Sequence, residues 1–263
     1  MKRMLAAVRF LTILPIPGRW GAGADELAGS VPWFPLVGLA LGAVAAGAGW
    51  VTAAAAVPPL VAAAGLVVLL AAFSGCLHLD GLSDTADGLL SSRPREAMLE
   101  IMKDSRTGAM GVAAIVGVAL VKFAALASLA LRVSPDATEV WLAAVFLMPL
   151  AGRSALVVHM AILPCVRADG LAAVFYRRRA PCGAWSRLAA VWAAAVLAAA
   201  AWALLGGRGL VVWIAWLAAA LLLAGYVYRK LGGATGDTLG AACELLETVP
   251  ALTLAVWPIQ AGR

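Results

Sequence analysis

Residues 38–49 of this chain read GLALGAVAAGAG and lie in an uncharged, mostly apolar run that extends from residue 31 to residue 57. This run is longer than the roughly 20 residues that a helix needs to cross a hydrocarbon layer about 30 Å thick. Its closely spaced small residues allow neighbouring helices to approach one another. The stretch therefore predicts a transmembrane helix that packs tightly, either within the chain or between chains.

The same pattern recurs along the sequence. Further apolar runs occupy residues 58–79, 109–131, 137–163, 184–205, 208–228 and 238–258. Charged residues make up 13% of the chain, whereas soluble domains carry about 25%. We therefore predict an all-α, polytopic integral membrane protein, with residues 1–263 forming one helical domain of about seven transmembrane helices, within a range of six to eight.

Basic residues lie mainly at one end of the predicted helices. A cytosolic N-terminus places 15 of the 20 Lys and Arg residues on the inner side. They are Lys2, Arg3, Arg9, Arg19, Arg93, Arg95, Lys103, Arg106, Arg167, Arg177, Arg178, Arg179, Arg187, Arg229 and Lys230. Arg132, Arg208 and Arg263 fall outside. Because cytoplasmic loops are enriched in Lys and Arg, we predict that the N-terminus is cytosolic.

The net charge of +6 is accounted for by this bias, so no nucleic-acid partner is expected. At the start of the chain, Arg9 interrupts an apolar stretch that lacks a small-residue cleavage site. Residues 1–20 therefore predict an amphipathic or re-entrant element that is retained at the inner membrane face.

The segment HLDGLSDTADGLL, residues 78–90, concentrates acidic residues at the cytosolic end of the second apolar run. If the helix continues, Asp80, Asp84 and Asp87 are spaced i, i+4 and i+7 and lie on one stripe. Like charges at this spacing repel, which favours a bound cation, and hard oxygen ligands favour Mg²⁺, Mn²⁺ or Ca²⁺. A solvated helix end is the alternative. His78 lies just before the stripe and points away from it.

A second polar segment, KDSRTGAMG, covers residues 103–111 and leads into the third apolar run. Lys103 and Arg106 supply positive charge, and Gly108 and Gly111 allow close approach to the free N–H groups of a helix start. This pattern predicts a phosphate seat, although a basic loop with an ordinary helix cap would look the same. Asp104 lies between the two cations. An acidic residue at this position favours an additional contact, either with a metal ion or with a substrate hydroxyl.

A third polar segment, LGGATGDTLGAACELLE, covers residues 231–247 and opens the last apolar run. Gly232 and Gly233 precede Asp237, which shares a helix face with Glu244, and Glu247 lies nearby. Ionised groups at membrane depth need partners. The candidates for this polar interior are Arg153, Lys122 and His159.

With a cytosolic N-terminus, the helices that begin near residues 109 and 238 both start on the inner side. The positive ends of their dipoles then face the segments 78–108 and 229–247, which we expect to form a cytoplasmic catalytic region. Spacing and topology thus predict a metal-dependent site for a phosphorylated substrate, without identifying the substrate.

The motifs RFLTILPIP, HLDGLSDTADGLL, MKDSRTGAMGV, AGRS and GGATGDTLGA occur here in this order, over about the first 250 residues. In a chain of this length, the set resembles the cobalamin synthase family, the adenosylcobinamide-GDP ribazoletransferases. The resemblance implies a Mg²⁺-dependent enzyme of the cytoplasmic (inner) membrane with its active site facing the cytosol. Such enzymes join adenosylcobinamide-GDP to α-ribazole, or to its 5′-phosphate, and release GMP in the last stage of vitamin B12 biosynthesis.

The residue roles are inferred from spacing and side of the membrane, because the resemblance does not settle them. The predicted Mg²⁺ ligands are Asp80, Asp84, Asp87 and Asp237, with Asp104 as a further candidate. The predicted substrate-binding residues are Lys103, Arg106, Arg153, Gly108, Gly111, Gly232 and Gly233. For the general base, Asp87 and Asp104 are the first candidates and His78 is the third.

Three alternatives differ in class. A CDP-alcohol phosphotransferase also clusters aspartates at the inner surface, but Thr85-Ala86-Asp87 departs from its usual signature. An ion-coupled transporter could use Asp80, Asp237, Glu244 and Arg153, but the sequence shows no convincing internal repeat. A purely structural membrane subunit is the third. Membrane lipids are expected partners; association with other late cobalamin-pathway enzymes and homo-oligomerisation are left open.

Overall fold

The computed structural model describes residues 1–132, 136–167, 170–176 and 183–257. These residues form twelve α-helices, a 3₁₀ turn at Val31–Trp33 and an isolated parallel bridge between Cys165 and Ala234. The helices are α1 (Lys2–Leu11), α2 (Ala24–Ala28), α3 (Phe34–Ala54), α4 (Pro59–Phe73), α5 (Leu77–Leu89), α6 (Arg95–Ile101), α7 (Ala109–Ala130), α8 (Ala137–Ile162), α9 (Leu171–Tyr176), α10 (Ala184–Leu205), α11 (Gly207–Leu231) and α12 (Gly236–Val256).

Six of these segments are long and apolar enough to cross a membrane: α3 with its preceding turn, α7, α8, α10, α11 and α12. Counting α4 and α5 together as one broken span would make seven. The prediction of an all-α, polytopic membrane protein is therefore confirmed.

The predicted second span, residues 58–79, is wrong in its extent. Gly75 and Cys76 have φ angles of +57° and +63°, so the helix ends before them, and the next helix runs at 89° to α4. The 15 residues of α4 cover only about 22 Å at about 1.5 Å per residue, less than a typical hydrocarbon layer. We therefore treat α5 as a helix outside the membrane-spanning segments that crosses the end of the bundle.

The centre of the bundle is α8, which is almost wholly buried between α3, α10 and α12. Gly42 lets α3 approach α8 closely, because a Cβ atom there would overlap the carbonyl oxygen of Phe146. A Cβ on Gly38 would lie 2.8 Å from the Cα of Leu150. The tight packing predicted for residues 38–49 is thus found inside the chain.

The outward faces of α7, α10 and α11 carry large exposed apolar side chains. Examples are Val112, Val116, Leu120, Leu188, Val191, Leu221 and Leu222. In a membrane these faces would contact lipid, because apolar surface of this extent is rarely left open to water.

The helix directions gather the predicted functional segments at one end. Helices α7 and α12 start at this end, while α8 and α11 finish there; the opposite end carries the ion pair between Asp136 and Arg208. Helix α1, which is ten residues long, also lies at this end. One face of it, which includes Leu11, is buried, whereas Arg9 is exposed. Arg177, Arg178, Arg179 and Arg263, used in the topology prediction, lie outside the described residues.

Candidate active site

Glycines allow α5 to cross directly over the start of α12. A Cβ atom on Gly81 would lie 2.8 Å from the carbonyl oxygen of Asp237, and one on Gly240 would lie 3.2 Å from the carbonyl oxygen of His78. The approach at Gly81 leaves no room for a Cβ atom, and the approach at Gly240 is tighter than most Cβ contacts. The crossing brings the acidic segment of α5 against the first turn of α12, although the two are far apart in the sequence.

The first turn of α12 is fixed by a helix cap. The hydroxyl oxygen of Thr235 accepts a hydrogen bond from the backbone N–H of Thr238 at 3.2 Å. Asp237 follows in the first turn, where the positive end of the helix dipole favours a carboxylate. The local sequence therefore places an acidic side chain at the edge of the crossing.

A pocket of about 280 Å³ lies at this crossing. Among the described residues, the polar part of its lining, called here the polar wall, is formed by His78, Asp80, Arg167 and Asp237. Its apolar wall includes Phe10, Leu77, Leu156, Met160, Ala172, Phe175 and Leu239. The structure thus brings together predicted residues from two separate segments, Asp80 and His78 from α5 and Asp237 from α12.

Arg167 belongs to this site, although the sequence analysis uses it only as one of the basic residues that indicate the cytosolic side. One guanidinium nitrogen of Arg167 lies 3.1 Å from Asp237 Oδ2, and another donates a hydrogen bond of 2.8 Å to the carbonyl oxygen of Leu99. The side chain is therefore held between α6 and α12. Cytoplasmic loops are enriched in basic residues in any case. The position of Arg167 in the sequence therefore does not reveal its contact with Asp237.

Gly232 and Gly233, which are predicted to bind substrate, shape the loop that carries Arg167. Gly232 ends α11 with a φ of +74°, and a Cβ on Gly233 would overlap the carbonyl oxygen of Pro164. That carbonyl accepts a hydrogen bond from Ala234 at 2.7 Å, and Ala234 in turn accepts one from the backbone of Val166 at 2.9 Å. Neither glycine lines the pocket.

Several carboxylates lie close enough to Asp84 to affect its ionisation. Burial, together with repulsion from Asp80, Asp237 and Asp87, raises the pKa of Asp84 to about 6, while Arg167 acts in the opposite direction. Within the described part of the chain, no three His, Cys, Asp or Glu side chains already form a metal-binding group. The donor set itself suits a hard cation such as Mg²⁺, because it consists of carboxylates that one positive ion would relieve of mutual repulsion.

Asp87, predicted as a metal ligand and base, caps α7. Its carboxylate oxygens accept hydrogen bonds from the backbone N–H groups of Gly108 at 2.7 Å and Gly111 at 2.9 Å. A Cβ on Gly108 would overlap the Asp87 carboxylate, and one on Gly111 would overlap the hydroxyl of Ser83. The phosphate seat predicted at this helix start is thus occupied by a carboxylate of the protein itself.

Lys103, Asp104 and Arg106 lie on a surface loop and do not line the pocket. Lys103 pairs with Glu100 at 2.8 Å, and Arg106 pairs with Asp104 at 2.7 Å while its side chain is 87% exposed. Hydrogen bonds from Arg106 lower the pKa of Asp104 to about 2. The structure therefore gives all three residues local partners, away from the acidic pocket where their predicted roles would place them.

A separate ion network is buried among the membrane helices. Lys122 Nζ lies 2.6 Å from Glu244 and 2.8 Å from Glu247, and Arg153 pairs with the other oxygen of Glu247. The prediction that Arg153 and Lys122 accompany the acids of α12 is confirmed, whereas His159 instead contacts the carbonyl oxygen of Ala220 at 2.9 Å. Arg153 does not line the pocket, so its position does not support the predicted contact with a diphosphate.

His78 is the predicted base that belongs to the lining of the pocket. It is 3% exposed, and neither ring nitrogen has a hydrogen-bond partner in the described structure. Burial, followed by the positive charges of Arg153 and Lys122, lowers its pKa well below the ordinary value, so the imidazole is neutral near pH 7. A buried neutral imidazole without a partner can donate one hydrogen bond and accept another from a ligand.

The fold and this pocket define a polytopic helical membrane enzyme with carboxylates gathered at one end of the bundle. The sequence profile of the cobalamin-5-phosphate synthase family matches residues 3–255. The chain belongs to that family, which confirms the resemblance seen in its motifs and favours the transferase prediction over the three alternatives.

Individual relatives agree along almost the whole chain. The adenosylcobinamide-GDP ribazoletransferase of Roseiflexus sp. (strain RS-1) is 40% identical over 253 residues, which cover 95% of this chain and 88% of the relative. The proteins of the same name from Citrobacter koseri and from Escherichia coli (strain ATCC 8739) are each 39% identical over 258 residues, covering 96% of this chain and 99% of the relative. No solved structure matches.

Proposed function

We propose that this chain transfers adenosylcobinamide phosphate from adenosylcobinamide-GDP to α-ribazole, or to its 5′-phosphate, and releases GMP. The product is adenosylcobalamin or its 5′-phosphate. The observation that carries the proposal is that Asp80 and Asp237, from two distant segments, line one pocket beside Arg167. The names of the relatives supply the substrates, and the pocket supplies groups suited to phosphoryl transfer.

In this reaction a ribose hydroxyl oxygen attacks the phosphorus atom bonded to cobinamide. A new phosphorus–oxygen bond forms, the bond to the GMP phosphate breaks, and the hydroxyl proton passes to a base. We assign that base to His78, because Asp87 caps α7 and Asp104 pairs with Arg106. Arg167 is placed to attract the anionic phosphate oxygens, since its guanidinium is held in position from both sides.

Asp80, Asp84 and Asp237 would hold Mg²⁺, because Asp80 and Asp237 are the carboxylates whose charge acts most strongly on Asp84. Bound Mg²⁺ supplies neutralisation of charge on the phosphate oxygens. Asp87 also belongs to the predicted ligand set, although both of its oxygens already accept backbone hydrogen bonds. We therefore place it behind the other three as a candidate ligand.

We place the site at the cytosolic face of the cytoplasmic membrane. The pocket end of the bundle carries basic residues that include Arg95, Lys103, Arg167, Arg229 and Lys230. A concentration of Lys and Arg marks the cytoplasmic side of bacterial membrane proteins. Segments 78–108 and 229–247 would then form the catalytic region of a single helical domain.

The direct test is turnover by the purified protein in detergent. With adenosylcobinamide-GDP, α-ribazole and Mg²⁺, GMP and adenosylcobalamin should form in equal amounts, and a chelator should stop both. Absence of GMP release with every divalent ion tried would refute the proposal. Substrate flux into vesicles without GMP release would instead favour the transporter alternative.

A further inference from the structure

The pocket at the α5–α12 crossing has two chemically different walls. His78, Asp80, Arg167 and Asp237 form one wall, and the apolar side chains of α1, α8 and α9 form most of the other. The apolar wall is backed by aromatic packing, since the ring of Phe175 lies 5.0 Å from that of Phe10, centroid to centroid. A ligand with an apolar part and a polar part would match this lining.

The size of the pocket restricts which substrate it can hold. Its volume of about 280 Å³ lies at the lower limit of small-molecule sites, which span about 300–1,000 Å³. A corrinoid with its ring system and side chains is far larger than a nucleoside. The pocket therefore suits either the ribazole acceptor or the guanosine part of the donor, with the corrinoid outside it.

The apolar wall favours ribazole over guanosine. The guanine base carries several hydrogen-bonding atoms on its edges, and the side chains of Leu156, Met160 and Phe175 offer them no polar partner. Each polar group buried without a partner costs about 1–3 kcal/mol. The dimethylbenzimidazole base of ribazole has two methyl groups and a single unsubstituted ring nitrogen, so it buries against such a wall with a smaller penalty.

We propose that this pocket is the seat of the acceptor, α-ribazole. Its base lies against the wall that contains Phe10 and Phe175, and its sugar hydroxyls face His78 and Asp237. His78 lines the pocket and its ring nitrogens have no hydrogen-bond partner among the described residues, so in this arrangement they would bond those hydroxyls. The inference rests on the proposed function and deepens it, because it assigns one of the two substrates to a defined cavity.

The test fills the pocket from its apolar side. Ala172→Phe places a ring where Ala172 now lines the cavity. The KM and the Kd for α-ribazole should rise at least tenfold, whereas the KM for adenosylcobinamide-GDP should stay within twofold of the wild-type value. The matched control is Ala203→Phe, because Ala203 is exposed on the outer face of α10 and should leave both values unchanged.

A second variant does not depend on tolerance of a larger side chain. Phe175→Leu removes the aromatic ring from the wall, and it should raise the Kd for α-ribazole, measured by calorimetric titration, about threefold to tenfold without changing the KM for the donor. A changed donor KM with an unchanged ribazole Kd in either variant would overturn the assignment.

Failure of the assignment of this pocket to α-ribazole can be distinguished from failure of the proposed function. Wild-type turnover together with unchanged ribazole binding in both variants would overturn the seat and leave the proposed function standing. Weakened ribazole binding in the variants, with no GMP release by the wild type, would support the seat and contradict the function.

Discussion

Helix α12 carries two groups of acidic side chains that differ in how their charge is balanced. Glu244 and Glu247 are buried and meet Lys122 and Arg153, so two negative charges face two positive ones. Asp237, at the start of the same helix, joins Asp80 and Asp84 in a group for which Arg167 is the nearby cation among the described residues. The balanced group can hold helices together unaided, whereas the unbalanced group is arranged for a positively charged ligand.

Removing one member of the balanced group, Glu244, Glu247, Lys122 and Arg153, should have the largest effect on the stability of the fold. Glu247→Gln leaves Arg153 buried without its carboxylate, and breaking a buried ion pair in this way costs about 3–5 kcal/mol. We expect a marked fall in the thermal denaturation midpoint in detergent. The matched control, Glu139→Gln, alters an exposed residue in the first turn of α8 and should change stability by less than about 0.5 kcal/mol.

A double replacement sharpens this prediction. Arg153→Met combined with Glu247→Met removes one charge of each sign and should recover most of the lost stability, because apolar residues often replace buried ion pairs at little cost. A Glu247→Gln variant as stable as the wild type would show that the network does not stabilise the fold.

Neutralising the unbalanced group should affect activity rather than stability. Asp84→Asn should lower the rate of GMP release by about 10²–10³-fold, the range seen when an electrostatic group of an active site is removed. Its thermal midpoint should stay the same or rise, because repulsion among the carboxylates is relieved. The control is Asp136→Asn, in the ion pair at the opposite end of the bundle, which should retain nearly full activity.

Disrupting the close contact between α5 and the start of α7 should have an intermediate effect on stability. Gly111→Ala puts a Cβ atom into the Ser83 hydroxyl, and overpacking of this kind costs about 1–3 kcal/mol. Gly117→Ala on the same helix has open space around it, so it should be neutral or slightly stabilising. Equal stability of the two variants, measured by thermal denaturation, would contradict the close approach.

A substitution in the surface loop should have the smallest effect on stability and on KM. Lys103→Ala removes an exposed pair with Glu100, and such pairs contribute about 0–1 kcal/mol. The KM for adenosylcobinamide-GDP should change less than threefold, because the charge of Lys103 is already paired with Glu100. A KM increase of tenfold or more would restore Lys103 to the substrate-binding role that the sequence predicts.

Much of the fold follows from local sequence, because apolar runs and charge bias act over one helix at a time. The spacing of Asp80, Asp84 and Asp87 correctly indicates a helix, and α5 is regular from Leu77 to Leu89. The break before α5 was missed because Cys76, a residue that seldom adopts a positive φ, does so here.

The site was predicted less completely, because it depends on contacts between distant segments. Gly108 and Gly111 fit a phosphate seat by spacing, and the structure fills that seat with Asp87 through a contact that spacing does not reveal. Arg167 reaches Asp237 through a loop paired with Ala234, and no local pattern encodes that pairing. The acidic segments themselves were identifiable, since carboxylates are rare in so apolar a chain.

The central claim is that Asp80, Asp84 and Asp237 bind a divalent cation, and Mn²⁺ binding measured by electron paramagnetic resonance tests it most directly. The wild-type protein and Asp136→Asn should bind Mn²⁺ in competition with Mg²⁺, whereas Asp84→Asn and Asp237→Asn should bind it at least tenfold more weakly. Mn²⁺ binding of wild-type strength in both Asp84→Asn and Asp237→Asn would contradict the claim.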